Sequence, residues 1–430
     1  MKKRVLVYPC GTEIGLEIYK SISKSIHFEV WGGSSTYDHG RFTYTNHIDN
    51  LPFITENSMD KDIEKFNDEL VRNKIDFLYP AMDGVLTIFA QRRELLNSTL
   101  IAPSAETAII TRSKRKTYEV LEGVVPVPQI YHSFDDCIRL PVFIKPDCGQ
   151  GSVGAFKVNN REQLKAAFAS NNKNIVLEYL SGKEYTVDCF TNSDGKLVYV
   201  GARGRKRIKN GISVNAVFER EPALIEYAEK INSRIKQKGG WFFQMKRDNK
   251  GKLKLLEVAA RIAGSSAISR VAGVNLPLLT LHLFNEETID SVLVNPKVFD
   301  LELDRALSNS FHWSINYDTV YVDYDDTLVI NNRINVQLIS FLYQCVNNRK
   351  RIVLLTRHKG DVMKALKEKK LEEIFDEIIV LDKQANKSDY VTINSIFIDD
   401  SFGERKSVYD RCKIPVFDAH MIEGLLEERD

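Results

Sequence analysis

The chain has 430 residues, 43% hydrophobic and 27% charged, the balance of an ordinary globular protein with room for roughly two or three domains. A formal charge of +2 argues against a dedicated nucleic-acid binder, which would normally show a strongly basic domain or stripe. Six cysteines without a CxxC pair indicate neither a disulfide framework nor a zinc cluster, and no apolar run approaches the ~20 residues of a membrane span, so a cytoplasmic chain is expected.

Val5 to Tyr8, followed by Pro9, Gly11, Glu13 and Gly15 and an amphipathic stretch to Ile22, predicts strand, turn and helix, and not a signal peptide. Two glycines in one loop are too weak a match to carry a nucleotide site, because tight turns need glycine anyway. Short apolar strands at Phe28–Trp31, Phe77–Pro80 and Leu100–Pro103 alternate with helical patterns over Asp60–Asn73 and Gly84–Leu96, which predicts a small α/β domain over residues 1–105.

A basic cluster, Arg112 to Lys116, opens the next region. The strand pattern Pro141 to Pro146 then carries Lys145 and runs into Cys148-Gly149-Gln150-Gly151-Ser152-Val153-Gly154. A glycine-rich turn lets successive N–H groups converge on one anion, and a lysine on the adjoining strand adds positive charge, so the pair suits a nucleoside triphosphate as well as it suits a plain hairpin. Downstream stand Ile175 to Asp188, with Glu178, Tyr179, Leu180 and Glu184, then Phe242 to Met245, then Leu255 to Arg261. Taken in order, these segments resemble the ATP-grasp superfamily, in particular the carbamoyl phosphate synthetase-like branch of carboxylate–amine ligases.

That resemblance runs from the N-terminus to about residue 315. It implies a pre-ATP-grasp α/β domain (1–105) and an ATP-grasp domain with antiparallel sheets (106–315). Lys114 and Lys145 would meet the nucleotide phosphates, and Gly149, Gly151, Ser152 and Gly154 would form the phosphate loop. Glu178, Tyr179 and Leu180 would hold adenine, and Glu184 the ribose hydroxyls. Gln244 and Glu257 would bind Mg2+, and Arg261 would face the transferring phosphoryl group. Ala259 stands where many members carry asparagine, so one magnesium ligand is expected to be missing or supplied by water. A basic stretch, Arg203 to Gly211, is expected either to contact an anionic substrate or to form a solvated hairpin.

In the last part, Thr319 to Leu328 is an apolar strand ending in Asp323 and Asp325, which project to one face of an extended chain. Paired carboxylates so placed suit phosphoryl transfer, one attacking phosphorus and the other handling the leaving-group proton. A second apolar run ends in Thr356, a third ends in Asp399 and Asp400, and Lys387 lies between these two. In order, these four motifs resemble the haloacid dehalogenase superfamily of phosphatases over residues 316–430. The resemblance implies a Rossmann-like domain with Asp323 as nucleophile, Asp325 as general acid/base, Thr356 and Lys387 on the phosphoryl group, and Asp323, Asp325, Asp399 and Asp400 around Mg2+. Roughly two dozen residues between the first two motifs leave no room for a cap domain.

Together the resemblances predict a mixed α/β and α+β chain and a bifunctional enzyme. An ATP- and Mg2+-dependent carboxylate–amine ligase acting through an acyl phosphate is fused to a magnesium-dependent phosphatase using an aspartyl-phosphate intermediate. Its partners would be a small carboxylate, an amine and a phosphorylated compound, with no nucleic acid and no membrane, and with homo-oligomer formation left open. The rival expectations are a carbamoyl-phosphate-type kinase that releases its acyl phosphate, a degraded ATP-binding module attached to an active phosphatase, and a phosphatase on an inert scaffold.

Overall fold

Strand β1 (Lys3–Tyr8) buries Val5, Leu6 and Val7 completely, as a parallel strand covered on both faces must. It is the centre of a parallel sheet ordered β3-β2-β1-β4-β5, with β2 at Phe28–Gly33, β3 at Asn46–Ile48, β4 at Phe77–Pro80 and β5 at Thr99–Leu100. Strand alternation sends Val5 and Val7 one way and Leu6 and Tyr8 the other. On the first side they meet Ile18 and Ile22 of the helix Glu13–Ile22 and Leu281 of the distant helix Leu276–Phe284. On the second they meet Phe66 and Leu70 of the helix Asp60–Arg72 and Phe89 of the helix Asp83–Gln91. The expected strand at Leu100–Pro103 is confined to Thr99–Leu100, because Ala102 and Pro103 turn their carbonyls to the Arg93 guanidinium.

The structure, a computed structural model, describes residues 2–137, 139–149, 151, 153–170, 173–209, 212–296, 298–311 and 313–427. The chain divides into two compact units, Met1–Leu307 and Ser308–Asp430, so the boundary expected at 315/316 falls inside the second unit's opening segment. Among the described residues no helix is long and apolar enough to cross a membrane.

The rest of the first unit holds two antiparallel sheets. The smaller is ordered β6-β9-β7-β8, with β6 at Ile130–Tyr131, β7 at Val142–Pro146, β8 at Phe156–Val158 and β9 at Asn174–Glu178. The larger is ordered β14-β13-β10-β11-β12-β15, with β10 at Glu184–Thr191, β11 at Leu197–Lys209, β12 at Ile212–Phe218, β13 at Gly239–Arg247, β14 at Leu253–Ala259 and β15 at Glu302–Asp304. Its two faces differ in chemistry. Tyr185, Val187, Phe243 and Met245 pack against Tyr118, Leu121, Leu224 and Ile231 of the helices Lys114–Leu121 and Pro222–Arg234. Glu184, Thr186, Gln244 and Glu257 share the opposite, polar face through the pairs Thr186 with Gln244 and Gln244 with Glu257.

The second unit is a parallel sheet ordered β20-β19-β16-β21-β22, with β16 at Thr319–Val322, β19 at Arg351–Thr356, β20 at Glu377–Val380, β21 at Ser395–Ile398 and β22 at Val416–Phe417. Between β16 and β19 lie only the small hairpin of β17 (Val329–Ile330) and β18 (Arg333–Ile334) and the helix Val336–Asn347. Val320 and Val322 pack on Leu338 and Phe341 of that helix, while Tyr321 faces Val408 of the helix Phe402–Cys412 on the other side.

Candidate active sites

In the first unit a cavity opens between the two antiparallel sheets, lined by Lys114, Lys145, Gly149, Gly151, Glu178, Tyr179, Leu180, Glu184, Gln244 and Glu257. Ten residues spread over more than a hundred positions of sequence are thus brought together. Lys145, near the end of β7, is buried, and its Nζ donates to Tyr118 Oη at 3.0 Å and to the Leu256 carbonyl at 2.9 Å. That carbonyl is turned inward where β14 slips register beside Gln244 and Met245, a bulge that re-aims one backbone group. Neither partner is a carboxylate. Burial first, and then the charge of Lys114, push the Lys145 ammonium down to about 7, against the weaker pull of Glu257, Glu184 and Asp147.

Lys114 begins its helix directly after the N-cap Ser113, whose hydroxyl donates to Asp147 at 2.7 Å. The Lys114 Nζ in turn donates to the carbonyls of Gly149 at 3.2 Å and Asp147 at 3.3 Å, which ties the glycine loop to the helix start. Gly151 and Gly154 have φ of 61° and 73°, the left-handed region that favours glycine. Gly154 does not line the cavity; a Cβ there would stand 3.1 Å from the Pro146 ring. Ser152 lies outside the described residues.

The carboxylates already have cationic neighbours. Glu184 is paired with Arg205 and, at 3.3 Å, with Lys246, while Glu178 is paired with Lys254 and accepts the Gln129 N–H at 2.9 Å. Arg205, part of the basic stretch, and Lys246, which the sequence reasoning missed, both line the cavity. The signal was strand alternation, which puts Arg205 on the face of Glu184. Arg203, two residues earlier on that face, is fully buried against Asp188 at 2.7 Å beneath Ser265 and Ser269. Arg203 to Lys209 of the basic stretch run along β11, antiparallel to β12, and Arg203 is a structural ion-pair member and not an exposed contact for substrate; Asn210 and Gly211 lie outside the described residues. Arg261 lies outside the cavity lining, held by Asp83 at 2.5 Å and by the Ile262 carbonyl at 2.9 Å. Ala259 packs beside Phe242 and Ala263 and offers no ligand oxygen.

In the second unit Asp323, Thr356 and Asp399 gather at the carboxyl ends of β16, β19 and β21, where open parallel sheets form their ligand sites. Lys387 Nζ bridges Asp323 at 2.7 Å and Asp399 at 2.6 Å, all three buried. Burial raises the Asp323 carboxyl above its ordinary range although Lys387 opposes it, and lifts Asp399 to about 6 in the same way. Burial would lower Lys387, but the two carboxylates outweigh it and hold the ammonium above its ordinary value. Asp325 is half exposed, and both its oxygens lie 3.0 Å from His358 Nδ1. Oxygens of Asp323, Asp399 and Asp400 lie within 4.8 Å of one another, a set of hard anionic donors against one ammonium, which fits a magnesium ion. Thr327, missed from sequence, accepts the Asp400 N–H at 2.8 Å and donates to Asp400 Oδ1 at 3.3 Å, fixing that carboxylate.

Residues 170–303 match the family model described as ATP-grasp in the biosynthetic pathway with Ter operon. The chain is 30% identical over 95 residues to a D-alanine–D-alanine ligase of Fusobacterium nucleatum, a match that covers 22% of this chain and 33% of that enzyme. It thus spans about a third of the length of the curated relatives it matches. Among solved structures it resembles the biotin carboxylase–β,γ-ATP complex of Campylobacter jejuni, with a TM-score of 0.58 at 17% identity over 69% of this chain and 74% of that one. It also resembles the N5-carboxyaminoimidazole synthetase of Staphylococcus aureus, with a TM-score of 0.55 at 14% identity over 68% and 81% of the two chains. The chain therefore carries the ATP-grasp fold, and the cavity between its antiparallel sheets lies within that fold.

Proposed function

We propose that the first unit is an ATP-dependent carboxylate–amine ligase acting through an acyl phosphate, and that the second is a magnesium-dependent phosphatase of haloacid dehalogenase type. The observation that carries the ligase reading is Lys145, a buried ammonium with no carboxylate in contact among the described residues, beside Lys114 and a glycine loop. Such a lysine gains most from a polyanion. Lys145 and Lys114 would receive the phosphates, the loop N–H groups of Gly149 and Gly151 would approach them closely, and Glu184 would accept the ribose hydroxyls. The apolar wall of Phe143, Leu177, Leu180 and Leu256 suits a purine ring. Gln244 and Glu257, side by side on β13 and β14, would hold Mg2+, which screens the crowding of triphosphate against carboxylate. The 30% identity to a D-alanine–D-alanine ligase supports an amide product. Arg261 would act on the transferring phosphoryl group only after releasing Asp83.

In the second unit Asp323 would attack phosphorus in line while Asp325 protonates the departing alkoxide oxygen, and Thr356 and Lys387 would hold the phosphoryl oxygens. A water molecule would then attack the same phosphorus, giving its proton to Asp325 and releasing Asp323. His358, 3.0 Å from both Asp325 oxygens, keeps that carboxylate aimed. Bound Mg2+ supplies charge neutralisation between Asp323 and the phosphate.

The test separates the two activities in the full chain. Asp323→Asn should abolish phosphate release from phosphomonoesters and spare ATP-dependent condensation of a carboxylate with an amine, scored as ADP formed together with the product mass. Lys145→Ala should do the reverse. Loss of both activities in either folded variant would rule out independent sites. Ala259 favours one second reading, a nucleotide-binding module with a weakened metal site. Tight ATP binding without ADP formation against any acceptor pool would select it.

A further inference from the structure

Beyond these two sites, the carboxyl edge of the first sheet holds a cluster of three chemically different metal donors. Cys10 follows β1, Asp38 lies on the loop after β2, and His47 sits on β3, paired in register with Gly32 of β2. No sequence spacing joins them. The sheet does so, through Cys10 N–H donating to the Gly33 carbonyl at 3.0 Å. One thiol sulfur, one carboxylate oxygen and one imidazole nitrogen lie within 4.8 Å of one another.

We propose that Cys10, Asp38 and His47 form a binding site for one zinc-like divalent transition-metal ion, with a fourth position left for water or substrate. Three observations carry it. First, Cys10 Sγ stands 3.4 Å from His47 Nε2. Bonds of about 2.3 Å to sulfur and about 2.0 Å to nitrogen at a tetrahedral angle put those two atoms roughly 3.5 Å apart. Second, the far side of the ring lies near a carboxylate: His47 Nδ1 is buried 3.2 Å from Asp49 Oδ1, and among the described residues it has no partner at hydrogen-bond geometry. A ligating imidazole is characteristically backed by a carboxylate, and Asp49 stands near enough to take that place on a small turn of the ring, with Nε2 then the metal-facing atom. A thiol that merely fills space needs no such arrangement. Third, glycines clear the site. A Cβ on Gly40 would lie 2.1 Å from Cys10 Sγ, and one on Gly11 would lie 2.3 Å from the Asp38 carboxyl carbon.

Asp38 is itself fixed, accepting the Ser34 hydroxyl at 2.8 Å and the Gly40 N–H at 2.9 Å. Ser34 Oγ also lies 3.1 Å from Cys10 Sγ, so the same hydroxyl touches two of the proposed ligands. On binding, the Cys10 S–H bond breaks, its proton goes to solvent, and a metal–sulfur bond forms. Sulfur, nitrogen and oxygen donors select zinc or cobalt over magnesium, which prefers oxygen alone. Three protein ligands with one open position is the pattern of metal sites that meet a substrate and not of closed structural ones.

The experiment uses the full chain carrying Asp323→Asn, stripped with a chelator and titrated with Co2+ alone, then with Zn2+ in competition. The remaining carboxylates of the second unit offer only oxygen and cannot produce a thiolate-to-cobalt charge-transfer band. The expected result is such a band saturating at one equivalent and bleached by Zn2+. Cys10→Ser should abolish it with the thermal melt of the metal-free protein unchanged. Asp49→Asn, at a solvent-facing position, should keep the band and weaken Zn2+ affinity about 10- to 100-fold. Absence of the band in the parent, or its survival in Cys10→Ser, overturns the site. Should Cys10→Ser fail to fold, an unaltered Zn2+ affinity in Asp49→Asn overturns it equally.

Discussion

The Lys145 ammonium makes ATP binding by the first unit depend on pH in a calculable way. Burial and Lys114 bring it down to about 7 in the nucleotide-free protein. A triphosphate in contact would restore it towards the ordinary lysine value near 10.4. The sign follows: bound protein holds the proton more tightly, so affinity is greatest below about pH 7 and falls as pH rises. If only the protonated form binds, the competent fraction drops from about one half at pH 7 to about one hundredth at pH 9, a loss of about 50-fold, or about 2.3 kcal/mol. The neighbours do not blur this window, because burial raises Tyr118 well above its ordinary value and raises the loop thiol of Cys148 too. Calorimetric titration with a non-hydrolysable ATP analogue at saturating Mg2+ measures both the affinity and, from its dependence on buffer ionisation, the proton taken up. About half a proton should be absorbed at pH 7 and nearly one at pH 9. Lys145→Arg, charged throughout, should flatten the profile. An affinity in the wild-type protein that changes less than about twofold over that range, with no proton uptake, would remove Lys145 from the phosphate site.

Thr327→Val deletes both hydrogen bonds that fix Asp400 and should weaken Mg2+ binding by the second unit about 10- to 100-fold with little change in the melt, read from Mg2+-dependent phosphatase activity and isothermal titration. Arg203→Met leaves Asp188 buried without its partner and should destabilise the first unit by about 3–5 kcal/mol in chemical denaturation, where a substrate contact would instead alter only KM. Because Asp399 is held at about 6, Mg2+ bound at the proposed site would have to displace a proton from it as pH falls. Mg2+ should therefore raise the second unit's melting temperature more at about pH 7 than at about pH 5, as scanning calorimetry of the full chain can check.

What was legible in the sequence follows from how locally each feature is specified. The apolar runs of β1, β4, β7, β16, β19 and β21 carry their own signal, and the polar residues at their ends are fixed by chain direction alone, so the positions of Lys145, Asp323, Thr356 and Asp399 at or near strand ends were legible. Strand β3 was not, because three residues at a sheet edge make no periodic pattern, and with it went His47. Nor could composition distinguish Arg203 from Arg205. Both lie on one face of β11, and only the helix Ala267–Val271, whose Ser269 bonds Asp188, decides which end of that face is covered. Thr327 was unreadable for a related reason, since its partner Asp400 is brought to it only by the pairing of β16 with β21.

The two buried lysines show how the same side chain is prepared for opposite tasks. Lys387 touches two carboxylates, which outweigh its burial and keep it charged, so it is a permanent counter-ion that allows Asp323 and Asp399 to lie close together as anions. Lys145 touches a phenol and a carbonyl, neither able to repay the desolvation of an ammonium, so its proton is held weakly until an anion arrives. Replacing the Leu256 carbonyl or Tyr118 by a carboxylate would make Lys145 resemble Lys387, and would also fill the site with negative charge that a triphosphate must displace. An incompletely neutralised cation is what the proposed anion-binding cavity would require, and a fully neutralised one is what the proposed carboxylate nucleophile beside a metal would require. The difference lies in the partners that the β14 bulge and the carboxyl ends of β16 and β21 deliver, not in the lysines themselves.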